Sequence, residues 1–163
     1  MHIILGSDRS GFTLRQALEA HLKEQGHALT VLGPADAEQA VPYYDVALQA
    51  ARLLQNDITK QSDGMSLCIL VCGTGMGMSQ VANLFKGVRA ACVESVYAAK
   101  MARAVNDSNV LCMGGWFVAP ELAIQMVEAF LNTGFTQGLE EWRGEWLRRA
   151  KERIAQLEED VTK

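Results

Sequence analysis

Short apolar runs alternate along this chain with longer segments in which apolar residues recur three and four positions apart. The short runs cover residues 2–6, 28–32, 66–72, 88–93 and 110–113, and they are almost continuously apolar. Runs of that length without polar alternation predict strands of a parallel sheet, covered on both faces. Between them the period changes. Leu14, Leu18 and Leu22 follow Gly11 at i, i+4 and i+8, and Gly26 closes the run, so a helix is expected there. Further helices are predicted over residues 43–54, 77–84 and 96–105. A fifth starts at Pro120, a good first-turn residue, and puts Leu122, Met126 and Phe130 on one stripe. The last segment, residues 137–163, is long and charged, with a helix expected over about 139–161. Trp142, Trp146, Ala150, Ile154 and Leu157 form its apolar stripe. Residues 55–64, with Asn56, Asp57, Ser62, Asp63 and Gly64, read as an exposed loop.

Strand and helix alternating in this way predict an α/β fold: a three-layer αβα sandwich on a five-stranded parallel, Rossmann-like sheet, with a long C-terminal helix. Its 163 residues are expected to form a single domain, with no internal repeat. The formal net charge of −4 gives no electrostatic reason to bind nucleic acid or an anionic membrane. No apolar run reaches the roughly 20 residues of a membrane span, and Asp8, Arg9 and Arg15 follow the first strand too soon for a leader peptide. A cytoplasmic protein is therefore expected. Cys68, Cys72, Cys92 and Cys112 sit in or beside runs that read as buried strands, without a close CxxC pair, which argues against disulfides and zinc.

Ligands of open parallel sheets bind beyond the C-terminal ends of the strands. That rule selects the loops at residues 7–11, 72–77 and 94–97, to which the turn at 106–109 is added by proximity. In the second of these, Cys72 ends a strand and Gly73-Thr74-Gly75-Met76-Gly77-Met78-Ser79 opens a helix. Gly73, Gly75 and Gly77 let backbone N–H groups approach an oxyanion closely. Two readings stay open on spacing alone: a cysteine base beside an anion hole, or a buried cysteine before a tight turn. No Lys-Ser or Lys-Thr follows, so this is not a Walker A loop, and the full dinucleotide fingerprint is absent. In the first loop, Asp8 could bind a ligand or cap the following helix, and Arg9 could hold a phosphate or face water.

These segments resemble a known family. Gly6-Ser7-Asp8-Arg9-Ser10-Gly11-Phe12 is similar to the G-[SA]-D-H-A-G-[FY] opening of the RpiB/LacA/LacB sugar-phosphate isomerases, which include the type B ribose-5-phosphate isomerases. The segment from Ile69 to Ser79 resembles their I-L-I-C-G-T-G-I-G-M-S, and Asn106-Asp107-Ser108-Asn109-Val110-Leu111 resembles their H-N-D-A-N-V-L without its first residue. The match runs from Met1 to about Arg143. It implies an aldose–ketose isomerase of a small phosphorylated sugar, working through a cis-enediol with no metal or organic cofactor. By position, Cys72 is implied as the base between C1 and C2 and Thr74 as a donor beside it. The backbone of Gly73, Gly75 and Gly77, with Asn106, is implied to hold the enediolate oxygen. Asp8 is implied for sugar hydroxyls and Tyr43 for the substrate edge, in a homodimer or dimer of dimers with sites at a subunit interface.

The departures shape the expected substrate. The family histidine that assists ring opening is Val105 here, and the phosphate-contacting histidine is Arg9. Of two C-terminal arginines, the first is Leu139 and the second matches Arg143. Arg9 and Arg143 are thus the expected phosphate contacts. A tetrose phosphate, which needs no ring opening, fits these changes, as does another pentose or hexose phosphate in a rearranged site. Two other readings stand beside this one. One is a non-catalytic or partner-dependent subunit; the other is a redox-sensing thiol, which lacks a resolving cysteine because Cys68 lies too far along the strand from Cys72. The stripe on the last helix is expected at a subunit interface rather than against its own chain.

Overall fold

The computed structural model describes residues 1–60 and 66–161. Five parallel strands form one sheet: β1 (His2–Ser7), β2 (Ala28–Leu32), β3 (Leu67–Cys72), β4 (Ala90–Cys92) and β5 (Val110–Gly114), in the order β2-β1-β3-β5-β4. The intervening helices are α1 (Phe12–Glu24), α2 (Tyr43–Lys60), α3 (Met76–Ala82), α4 (Val96–Ala104) and α5 (Pro120–Leu131), with α6 (Glu141–Val161) at the end.

Alternation along each strand divides the core in two. Ile3, Leu5, Ile69, Val71, Leu111 and Met113 point to the face covered by α1, α4 and α5. Ile4, Cys68, Leu70, Cys72 and Cys112 point to the other, under α2 and α3. The three-layer αβα expectation holds. The central strands β1, β3 and β5 carry it, since they are buried almost throughout. The outer strands β2 and β4 are not covered on both faces. Apolar composition alone does not distinguish an edge from a centre. Cys92 accordingly lies exposed on β4, a correction to the expectation that all four cysteines are buried.

Two boundaries also shift. Residues 55–60, expected as loop, continue α2, because Ile58 carries its apolar stripe onto the second core half. The remainder of that expected loop, residues 61–64, lies outside the described residues. Helix α6 begins at Glu141 and buries only Gly144 and Leu147. Its stripe is largely uncovered, with Trp142 and Trp146 exposed by 68% and 60%. Among the described residues, no helix is long and apolar enough to cross a membrane.

The switch in strand order falls between β1 and β3, and the chain is tightest there. The Asp8 N–H donates to the Val71 carbonyl at 3.2 Å. Gly11 presses on the same carbonyl: a Cβ at residue 11 would stand 2.3 Å from the Val71 oxygen. Backbone cannot yield as a flexible side chain can. Gly11→Ala is expected to lower stability by about 2–3 kcal/mol, read as a shift of the urea midpoint with an unchanged slope.

Candidate active site

The loops that leave β1 and β3 meet at this switch point, where ligands of such sheets bind. A cavity of about 270 Å³ opens there, lined by Asp8, Ser10, Tyr43, Cys72, Gly73, Thr74, Gly77 and Trp116. Cys72 ends β3 and is 5% exposed, and its sulfur accepts the Gly75 N–H at 3.1 Å. Gly75 has φ +78° and no room for a side chain, since a Cβ would come within 2.9 Å of Met113 Cα and of Cys92 Sγ. A left-handed turn in that space requires glycine. Thr74 sits between them, its hydroxyl accepting the Met76 N–H at 3.4 Å.

The other two glycines of the loop carry aromatic rings. At Gly77 a Cβ would stand 2.6 Å from the Tyr43 ring, and at Gly73 2.7 Å from the Trp116 indole. The glycines thus do more than offer backbone donors: their bare backbone is the surface on which the cavity walls rest.

Asp8 stands both in the turn before α1, whose N-cap is Gly11, and on the cavity wall. Its Oδ1 accepts the Gly11 N–H at 2.9 Å and shapes the turn into α1, and its carboxylate also lines the cavity. Burial raises its pKa above the ordinary carboxylate value, against the hydrogen bonds from Gly11 and Ser10 that lower it. Arg9 lies one step further out. It lines an adjoining cavity of about 260 Å³ with Asp8, Ala40, Val41, Pro42 and Tyr43. Its Nη2 is 3.4 Å from Glu38 Oε2, on an exposed pair.

Asn106 and Arg143 are not brought to this cavity. The turn at 106–109 precedes β5, so it lies at the N-terminal edge of the sheet: the Asn109 carbonyl accepts the Cys68 N–H, and Cys72 pairs with Gly114. The length of β3 separates the two edges by roughly 15 Å. Grouping this turn with the strand-end loops was therefore mistaken for a single chain. Arg143 is on the first turn of α6, exposed, close in sequence to Thr136, whose N–H donates to the Ala104 carbonyl.

That second edge is built with equal care. Asp107 takes φ +48°, and its carboxylate, 7% exposed, receives Arg89 at 3.0 Å, Arg103 at 3.1 Å and Lys151 at 2.5 Å. The Asn109 side chain accepts the Arg89 N–H and donates to the Gly87 carbonyl. Two of the four residues in that motif are therefore structural. They fix an exposed Asn106 at the mouth of a cavity of about 360 Å³, shared with Val105, Arg89, Phe135, Trp146, Leu147, Ala150, Lys151 and Ile154.

Among the four cysteines only Cys72 faces the Asp8 cavity. Cys68 and Cys112 are buried, and burial pushes both thiols well up. Cys92 is also held up, first by burial and then by Cys72 and Glu94. Among the described residues, no group of three or more His, Cys, Asp or Glu side chains could hold a metal ion.

The family model described as ribose/galactose isomerase matches residues 3–146. The chain belongs to the ribose/galactose isomerase family. The expected class of reaction, aldose–ketose isomerisation of a small phosphorylated sugar, is that of this family, and the chain is an isomerase of that class. It is 47% identical to the 4-deoxy-4-sulfo-D-erythrose isomerase of Clostridium sp. (strain MSTE9), over 99% of this chain and 98% of that one. It is 32% identical to the D-erythrulose-4-phosphate isomerase of Pectobacterium atrosepticum, over 85% and 87%. The ribose-5-phosphate isomerase B of Mycoplasma genitalium with bound ribulose-5-phosphate has the same fold, with a TM-score of 0.84 at 32% identity, covering 97% of this chain and 96% of that one.

The ribose/galactose isomerase motifs predicted most of this cavity. They missed Ser10 and Trp116. The signal for Trp116 was the Gly114-Gly115 pair at the end of β5, which is a strand-end loop by the same rule that selected Cys72.

The Asp8 shift has a consequence for stability. Its folded carboxyl binds a proton more tightly than the unfolded one, so the stability it confers is full below the unfolded value and falls as pH rises through the folded value. Asp8→Asn keeps the acceptor for Gly11. It is expected to be slightly more stable than the native chain at pH 7, with the difference vanishing below about pH 4. Urea unfolding at both pH values checks this; a less stable variant at pH 7 would contradict it.

Proposed function

We propose that the chain is a cysteine-dependent aldose–ketose isomerase of four-carbon sugars bearing a terminal sulfonate or phosphate, and that each site is built from two copies of the chain. Cys72 takes the proton from C2 of the aldose and returns it to C1. The resulting cis-enediol is held by Thr74 and the backbone of the glycine loop. Proton abstraction beside a carbonyl needs a positioned base and donors aimed at the growing oxyanion. Asp8 and Tyr43 hold the sugar hydroxyls and Arg9 the terminal anion. The intact cavity around Cys72 favours this over a non-catalytic subunit.

Val105 carries the choice of a four-carbon chain. Ring opening needs a group that exchanges protons near neutrality, and valine has none. His2 is hydrogen-bonded to Ser66 and Thr30, and His21 to Glu128. A tetrose whose fourth carbon carries phosphate or sulfonate has no free hydroxyl there to close a five-membered ring, so the missing imidazole costs it nothing. Among the described residues, Arg9 is the one cation lining either of the two adjoining cavities, and Glu38 already faces it. Glu38 offsets Arg9, so the terminal anion, sulfonate or phosphate, also draws on Arg143 of the other copy. The sulfo-erythrose isomerase relative supports the sulfonate, and the erythrulose phosphate isomerase relative supports the phosphate as the second reading.

Two copies are invoked because Asn106 and Arg143 lie at the wrong edge of their own sheet. A symmetric dimer can bring the Asn106 edge of one copy over the Cys72 edge of the other. The uncovered stripe of α6, Trp142 to Leu157, supplies apolar area for a homodimer or a dimer of dimers. The cytoplasm remains the proposed compartment.

Two experiments test this reading. Native protein should turn over 4-deoxy-4-sulfo-erythrose or erythrose 4-phosphate and process ribose 5-phosphate no faster than that sugar opens in buffer. Val105→His should raise the furanose rate roughly tenfold or more and leave the tetrose rate nearly unchanged. Fast ribose 5-phosphate turnover by the native protein would contradict the assignment. In the second experiment, Cys72→Ala and Asn106→Ala are each expected to be inactive alone. Unfolded and refolded together, they should recover about a quarter of native activity, because half of the dimers then carry one intact site of two. No recovery would contradict the shared site.

A further inference from the structure

Cys92 is the one exposed cysteine, and neither the core nor the reaction as derived gives it a task. The turn after β3 reaches over the end of β5 toward it. A Cβ on Gly75 would stand 2.8–2.9 Å from the backbone of Met113, on β5, and 2.9 Å from Cys92 Sγ, on β4. The thiol therefore lies against the turn that follows the proposed base.

A hydrogen bond gives this contact a direction. Cys92 Sγ donates to the Thr74 carbonyl at 3.6 Å, a span that suits the larger radius of sulfur. The N–H of the same peptide unit, that of Gly75, donates to Cys72 Sγ at 3.1 Å. One amide is thus held at both ends by a thiol, in the chain Cys92 S–H, Thr74 carbonyl, Gly75 N–H, Cys72 sulfur. Cys92 keeps its proton for this part, because burial, and then Cys72 and Glu94, raise its pKa above the ordinary thiol value. Hydrogen bonds in a chain polarise one another, so a donor on the amide oxygen makes its N–H a better donor. The bond from Gly75 strengthens when the sulfur it meets is ionised, and the thiolate is the form that takes a proton from carbon.

We propose that Cys92 is a positioning residue for the isomerase reaction, which orients and polarises the Thr74–Gly75 peptide so that its N–H stabilises the ionised sulfur of Cys72. The proposal rests on the reading of Cys72 as the base. It also gives the bare backbone of Gly75 a second use, since a side chain there would push the turn off Cys92. The titratable groups around Cys72 are Asp8 of the β1 loop and Tyr43 of α2 across the cavity, with Arg9 in the adjoining one. On the sheet they are the thiols of Cys68, Cys112 and Cys92, with Glu94 beside Cys92. Helix α3, which opens from the turn, carries none. Of all these, only Cys92 differs among the variants compared.

Cys92→Val keeps the volume of the thiol and suits a strand, but it removes the donor. Cys92→Ser keeps a donor. Two profiles are measured against pH for native protein and both variants: kcat/KM with erythrose 4-phosphate, and the initial rate of Cys72 alkylation by iodoacetamide, located by peptide mass spectrometry. In Cys92→Val the acidic limb of both profiles should move up by about 0.2–0.5 pH unit, while kcat/KM keeps its native height at the high-pH plateau. Cys92→Ser should follow the native profiles. A turn that is merely loosened lowers the whole kcat/KM profile without moving its limb. That result in Cys92→Val, a limb that stays in place, or a limb moved equally by Cys92→Ser overturns the proposal. If Cys92→Val does not fold, Cys92→Ala removes the same donor and carries the decision. Cys72→Ala in parallel separates the two claims. If it is inactive while the limb of Cys92→Val stays in place, the positioning fails and the base stands. If it keeps native turnover, the base assignment is wrong and the positioning role falls with it.

Discussion

All five strands point the same way, and that polarity governs where chemistry can occur in this molecule. Each strand delivers its following loop to one edge of the sheet and takes its preceding loop from the other. The order β2-β1-β3-β5-β4 puts the ends of β1 and β3 side by side, so Asp8 and Cys72, more than sixty residues apart in sequence, share one cavity. The same polarity sends Val105, Asn106 and Asp107 to the opposite edge. The proposed dimer follows from this: residues that the sequence motifs assign to one site stand at two ends of one sheet.

Both edges are held in place by interactions that tolerate little change, though of different kinds. At the Cys72 edge the means is steric. Gly11 meets the Val71 carbonyl, Gly75 fills a left-handed turn, and Gly73 and Gly77 receive aromatic rings. At the Asn106 edge it is electrostatic. A single carboxylate, Asp107, gathers Arg89, Arg103 and Lys151 and thereby ties the end of α4 to the last helix. Removing one partner from such a buried cluster leaves the others uncompensated. The residues proposed to meet the substrate, Thr74 and Asn106 among them, are each flanked by these constraints and are not themselves part of them.

The layer architecture was legible because strand and helix differ in apolar period, and the central strands are long enough to show theirs. The edge strands were not distinguishable, since the exposed residues of β2 and β4 are as apolar as buried ones. The end of α2 was misread because polar residues on the outer face of a helix resemble a loop when Ile58 is overlooked. At the site, Cys72 and the glycines were legible from their place at a strand end. Asn106 was misplaced because a loop before a strand was counted with the loops after strands. Trp116 was missed although Gly114 and Gly115 mark its loop. The roles of Gly73 and Gly77 as seats for aromatic rings could not be read at all, because the partners are distant in sequence.

The central claim is that the sulfur of Cys72 carries the proton between the two carbons. Its most direct measurement is the washing of solvent deuterium into C2 of the aldose and C1 of the ketose, followed by proton NMR in heavy water. Native protein should exchange those positions at a rate comparable with turnover. Cys72→Ala, with an unchanged near-ultraviolet circular dichroism spectrum, should exchange neither. Exchange at the native rate in that variant would mean that another group removes the proton and that Cys72 is not the base of this cavity.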